Sequence, residues 1–226
     1  MLKNSEINLT SHRVKVETEF KELLNRVSEL EKKVILQELK NEKDVKIQLN
    51  SDFINADAIT VKSDSNVTVD LNGHTIAPTG LNSDGFVIEE GGTLEIHGDG
   101  LVETQAGGLG FPIVAHGNVK IYGGDYVSHY DENGDTNACI YAKGNGKVEI
   151  YGGHFETETG IFTLNVHNGS LNTASIVVYG GEFVNFDPSN HTEAAGEEEK
   201  SFVAEGYKVE AHVINPQKTI YKVVKE

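Results

Sequence analysis

Two hydrophobic periods divide this chain. Val16, Phe20, Leu23, Val27, Leu30 and Val34 recur at spacings of 4, 3, 4, 3 and 4, with mostly Lys, Glu, Arg and Asn between them and no Gly or Pro. That spacing predicts a helix bearing a heptad seam over about three heptads. Asn41 to Asp44 ends the pattern. Lys46-Ile47-Gln48-Leu49 and Ala58-Ile59-Thr60-Val61 then alternate as strands do. Short apolar runs, separated by turns rich in Gly, Asn and Asp, continue to about Phe186.

One phrase recurs in the β region. Ile121-Tyr122-Gly123-Gly124-Asp125-Tyr126 returns as Ile150-Tyr151-Gly152-Gly153-His154-Phe155 and as Val178-Tyr179-Gly180-Gly181-Glu182-Phe183. Looser copies start at Leu71 and Ile96, so the first apolar residues are spaced 25, 25, 29 and 28 apart. A period of this length marks a repeat architecture. Before each corner, two apolar residues flank a middle one: Val69-Asp70-Leu71, Leu94-Glu95-Ile96, Val119-Lys120-Ile121, Val148-Glu149-Ile150 and Ile176-Val177-Val178. The flanking residues face one side of a strand and the middle ones the other. Gly73, Gly98, Gly123, Gly152 and Gly180 then stand where the chain turns, and glycine turns through φ > 0 without a steric penalty. A further strand precedes each copy, at Phe86-Val87-Ile88, Pro112-Ile113-Val114, Cys139-Ile140-Tyr141 and Leu164-Asn165-Val166.

Two or three strands per repeat, with no helix between them, predict one coil of a parallel β-helix per repeat. Stacking at about 4.8 Å would align equivalent residues. Glu95, Lys120 and Glu149 should then form a ladder of alternating sign. Tyr122, Tyr151 and Tyr179 should stack, with His97 below them. The fold class expected is mainly β, a parallel β-helix preceded by an N-terminal coiled-coil helix.

Residues 1–12 have no clear period and read as a disordered start or an anchor that orders on a partner. Residues 13–41 form the stalk, with Val16, Phe20, Leu23, Val27, Leu30 and Val34 as its oligomerisation residues. In a parallel assembly Arg26 would face Glu31, and Lys33 would face Glu38, of a neighbouring chain. Leu24 widens the stripe towards more than two strands, whereas Val at a with Leu at d is the dimer-like choice. An amphipathic helix folded onto its own domain is the alternative. Residues 45–186 form the β-helix. Residues 187–226 hold an acidic loop, Glu193 to Glu199, and closing strands within Ser201 to Val209 and Thr219 to Val224. A β-helix needs such a cap, because its last coil otherwise exposes an apolar end.

The Ile-Tyr-Gly-Gly-x-Phe/Tyr copies and the ending Phe202-Val203-Ala204-Glu205-Gly206-Tyr207-Lys208-Val209 resemble right-handed parallel β-helix domains of the pectate-lyase-like superfamily. The nearer likeness is to non-catalytic versions in bacteriophage fibres and bacterial surface proteins, over about residues 45–226. A helical stalk before the β-helix looks like a phage head fibre or tail-fibre component. That resemblance implies a homo-oligomer, usually a trimer, attached by its N-terminal end to the capsid or another virion protein. It implies a role in holding or finding the host surface and localisation to the virion. Beyond what the resemblance implies, the projecting β-helix is expected to touch cell-wall glycan weakly. A tailspike-like polysaccharide depolymerase and a bacterial surface adhesin are the rival readings.

Charge and chemistry narrow these. Of 226 residues, 35 are Asp or Glu and 19 Lys or Arg, a net charge of −16 that disfavours nucleic acid and anionic lipid. Cys139 is the single cysteine, so neither an intrachain disulfide nor a cysteine zinc site is expected. No membrane span is expected, and Met1 to Thr10 lacks the pattern of a signal peptide. Lyases of the superfamily use Ca²⁺ with a Lys or Arg base, but Arg13 and Arg26 lie in the stalk, leaving Lys120 or Lys143. Asp131 to Asn137 offers oxygens at alternate positions but lacks an EF-hand's bidentate Glu and its Gly placement, and reads as a solvated turn. The histidines show no His-x-x-x-His pair. No catalytic residue, cofactor or metal is expected. Tyr122, Tyr151 and Tyr179 are candidates for glycan or subunit contact.

Overall fold

The structure, a computed structural model, describes residues 2–129, 138–157, 162–190 and 200–226, with side chains from residue 13 onward. Alternation of apolar and polar residues winds the chain after Lys43 into a parallel β-solenoid with three faces. The first face stacks Asp44–Gln48, Asn66–Asp70, Thr93–His97, Asn118–Ile121, Lys147–Ile150 and Ser175–Val178. The second stacks Phe53–Asn55, Thr75–Pro78, Leu101–Glu103, Asp125–Ser128, His154–Thr157 and Gly181–Val184. The third stacks Ile59–Val61, Phe86–Ile88, Ile113–Ala115, Ile140–Ala142 and Leu164–Val166.

The core is a set of columns. Ile47, Val69, Ile96, Ile121, Ile150 and Val178 lie in register on the first face, all buried. Phe53, Ile76, Val102, Tyr126, Phe155 and Phe183 form the matching column on the second face. Its upper rings stack at 4.9 and 5.0 Å between centroids. Tyr126 closes its one polar group by donating from Oη to Gly123 O at 3.0 Å.

The two loose copies sit differently from their spacing. Ile96 pairs with Val69, not with Leu71, so Val67-Thr68-Val69 is the equivalent of Leu94-Glu95-Ile96. At the far end of the phrase Tyr126 pairs with Val102, and Leu101 meets Asp125. Corners of unequal length absorb the difference, because only the strands are held in register. The ladder on the first face therefore runs Lys46, Thr68, Glu95, Lys120, Glu149, Val177, and Asp70 pairs with His97. Residues 44–61, which carry no Gly-Gly corner, make the first coil.

The Gly-Gly corner divides its work in a way the spacing did not show. The second glycine takes the left-handed backbone, with φ of 91°, 109° and 110° at Gly124, Gly153 and Gly181. The first glycine is needed for close approach. A Cβ at Gly123, Gly152 or Gly180 would stand 2.8, 2.7 or 2.3 Å from the carbonyl oxygen of Gly98, Tyr122 or Tyr151 in the coil below.

The helix covers the first coil. It runs Leu2–Asn41, so residues 1–12, which have no clear period of their own, share its backbone from Leu2. At about 1.5 Å per residue its 40 residues span about 60 Å. Ile35 and Leu39 are buried in the solenoid core cluster. Ser28 and Ser51 hydroxyls meet at 2.9 Å, and Glu31 accepts from the Asn50 amide, the Asn50 side chain and Ser51 Oγ at 2.8 to 3.0 Å. Burial pushes the Glu31 carboxyl up, but the bonds from Ser51 and Asn50 outweigh it and hold it below its usual range.

The other end is closed by a cap. Phe202 is buried against Phe186, and Val203 bridges Val178. A hairpin, Tyr207–Asn215 and Lys218–Lys225, adds two antiparallel strands to the second face through Gly181–Val184. The expected single strand from Ser201 thus begins only at Tyr207. The acidic stretch Glu193 to Glu199 and the loop Asp131 to Asn137 lie outside the described residues.

Candidate functional site

Two surfaces remain after the core is accounted for. The first is the helix seam. Val16, Phe20, Leu23, Val27, Leu30 and Val34 are 50 to 61% exposed, although six apolar side chains in one heptad register ordinarily pack on something. The residues that dock on the solenoid, Ser28, Glu31, Ile35 and Leu39, lie on other positions of the same helix. The helix therefore covers its own domain with one side and leaves the seam open. Glu31, expected to meet Arg26 of a neighbour, is already bonded to Asn50 and Ser51. Leu24 and Val27 also line a cleft of about 690 Å³ against Ile54 and His74 of the solenoid.

The second surface is the outer edge of the Gly-Gly corner. His97, Tyr122, Tyr151 and Tyr179 stack at 4.5, 5.0 and 4.9 Å, within 10° of parallel. Tyr207 of the hairpin sets its ring nearly perpendicular to Tyr179 at 5.6 Å. The ring faces are thus occupied by one another, and what the column offers a ligand is ring edges and hydroxyls. Burial is the first cause raising the Tyr151 phenol above its ordinary value, with Glu149 next. Beside the column an open cleft of about 460 Å³ is lined by Tyr122, the corner glycines, Asp125, His154, Glu182 and Lys222. Asp125, His154, Glu182 and Lys222 are successive register partners. Lys222 Nζ stands 2.9 Å from Glu182 and His154 stands 3.9 Å from it.

The charged residues weighed as bases have structural neighbours. Lys120 reaches Glu95 at 3.8 Å in the expected ladder. Lys143 sits 5.7 Å from the centre of the Tyr141 ring, within cation–π reach. Tyr141 belongs to a second outer aromatic group that the repeat reading missed, stacked on Phe111 at 4.8 Å and met edgewise by His167 at 6.1 Å. The third-face strands Ile113–Ala115 and Ile140–Ala142 each start one residue later than Pro112-Ile113-Val114 and Cys139-Ile140-Tyr141. Tyr141 pairs with Val114 while Phe111 precedes its strand, so the stack does not follow from the register. Among the described residues no group of three His, Cys, Asp or Glu is arranged to hold a metal, and no helix is long and apolar enough to cross a membrane.

Comparison with protein families, with curated proteins and with solved structures finds no match to this chain.

Proposed function

We propose that this chain is a non-enzymatic structural fibre component that assembles through its helix. Parallel copies meet along Val16, Phe20, Leu23, Val27, Leu30 and Val34, as a trimer or, if the Val/Leu choice dominates, a dimer, and the solenoids project from the bundle. The observation that carries this is the open seam on a helix whose other side is already docked. Burying those six side chains removes apolar area from water, at roughly 25 cal/mol per Å².

The likeness of the repeat and its closing stretch to bacteriophage fibres extends the proposal. Residues 1–12 dock on a capsid or other virion protein, and the solenoid faces the host. Contact with cell-wall glycan along Tyr122, Tyr151 and Tyr179 is through hydroxyls and ring edges, since the faces are stacked. The rival depolymerase reading draws on the cleft at Asp125, His154 and Glu182.

Sedimentation equilibrium of the full chain tests the assembly. The mass should fall to a third or a half in the Val27→Asp, Leu30→Asp variant as the trimeric or dimeric seam contact is lost, because unpaired charge in a seam is costly. A monomeric parent chain would overturn the reading. Antibody labelling of purified virions should place the chain on the particle. Sustained release of reducing ends from capsule or cell-wall glycan would favour the depolymerase instead.

A further inference from the structure

The hairpin ends the molecule on an open strand. Tyr207–Asn215 is nine residues long and lies at the end of an eight-stranded sheet, with no further strand beside it among the described residues. Glu226 N donates to Gly206 O at 3.0 Å, and the register pairs Lys208 with Val224, Glu210 with Lys222 and His212 with Ile220. Bonded and non-bonded pairs alternate along an antiparallel ladder. The bonded residues of this strand are therefore the even-numbered ones. The N–H and C=O groups of Val209, Ala211 and Val213 point away from the molecule.

Proteins usually blunt such an edge with lysine, proline or a bulge. Here Lys208 stands at one end, and the register irregularity falls between Val213 and Asn215, past the outward groups. Val213 and Ile214 are 74 and 59% exposed.

We propose that this edge pairs with the same edge of a second copy, antiparallel and centred on Ala211. That register pairs the strand with itself over its whole length, Tyr207 to Asn215; centring on Val209 would also set Lys208 against Glu210, but it would pair only residues 207–211. Val209 meets Val213, Ala211 meets Ala211, and the outward backbone groups of all three bond across the two-fold axis. On the opposite face each Glu210 carboxylate stands against a His212 ring, whose N–H it accepts. Centring on Glu210 would set two carboxylates against each other. Centring on His212 would oppose two imidazoles and leave Glu210 facing Ile214. The two-fold axis is perpendicular to the sheet, so two solenoids meet cap to cap and point in opposite directions. The second face then continues from one copy into the other. This interface is remote from the helix seam and does not depend on it.

Ala211→Pro tests the pairing. Its N–H points outward, so proline removes no bond of the hairpin and blocks the edge. In the Val27→Asp, Leu30→Asp background, sedimentation should give a dimer, and adding Ala211→Pro should halve the mass. With the seam intact, Ala211→Pro should again halve the mass of the assembly. A seam-disrupted parent that is already monomeric, or a mass that proline leaves unchanged, would overturn the proposal. Because proline can disturb the cap, cysteine trapping provides an independent reading. Ala211→Cys should oxidise to a covalent dimer, since its pair lies on the axis at a Cα distance of about 5.5 Å, within disulfide range. Lys208→Cys, also exposed but opposite Ile214, should not; equal trapping at both positions, or none at Ala211, would refute the register. A monomer whose edge captures an added extended peptide would assign the strand to a different partner and equally refute pairing between copies. Failure of the seam shows in the Val27 and Leu30 variant, and failure of the edge in the Ala211 variants, so the two are separable.

Discussion

A single atom decides the glycine corner. Gly152 has no left-handed φ, yet a Cβ there would press on Tyr122 O from 2.7 Å, and that oxygen belongs to backbone held in the stack. Gly152→Ala should lower stability by about 1–3 kcal/mol, as overpacking does, read as a shift in denaturation midpoint with unchanged slope. Cys139 illustrates the opposite case, a side chain fully enclosed. Burial pushes its thiol far up, while its Sγ lies 3.3 Å from Tyr126 O and 3.4 Å from Glu156 O. A thiol-specific colorimetric reagent should label it only after denaturant is added; labelling of the folded chain would contradict the packing. Glu182 gives a pH signature. The hydrogen bond from Lys222 is the largest cause holding its carboxyl below the ordinary 4.5. A carboxyl lowered in the folded state stabilises above its unfolded value and loses that contribution as pH falls through the folded one. Both partners are more than a third exposed, so the effect is small. Acid titration of stability should show a shallower loss below about pH 4.5 in Lys222→Met than in the parent.

At the scale of elements, the helix separates assembly from folding. Leu30 is 61% exposed and Leu39 is 7% exposed. Leu39→Ala should therefore cost about 2–5 kcal/mol of solenoid stability. Val27→Asp with Leu30→Asp should leave the strand signal of the far-ultraviolet spectrum near that of the parent, because the solenoid folds without the seam. A loss of solenoid structure in that double variant would mean that the seam side also supports the fold. The heptad could be read directly from spacing. That Ile35 and Leu39 lie on another side and seat the helix on the first coil could not, because two apolar residues four apart carry no address.

Across the whole molecule, stability is a sum along one axis. Each coil touches only its neighbours, so both ends need covers. The helix covers one end, and Phe202 with the hairpin covers the other. Truncation after Phe186 should expose the apolar top of the last coil, where Val178 and Phe183 are now fully buried. The shortened chain should form aggregates visible by light scattering, whereas a monodisperse product would show that the last coil needs no cover.

Stacked coils were determined by the sequence alone. A frame that recurs with Gly-Gly at its corner admits one register for its three strong copies, and Tyr122, Tyr151 and Tyr179 stack as that register demands. The same holds for Glu95 beside Lys120 beside Glu149. Tertiary structure decided what the frame left open: that Val69 and not Leu71 stands under Ile96, that residues 44–61 form a coil with no repeat phrase, and that the helix rests on that coil. The reason is the same in each case. Spacing in a sequence counts residues, but backbone hydrogen bonds between coils fix positions in space, and corners of unequal length break the correspondence wherever no glycine pair marks the turn.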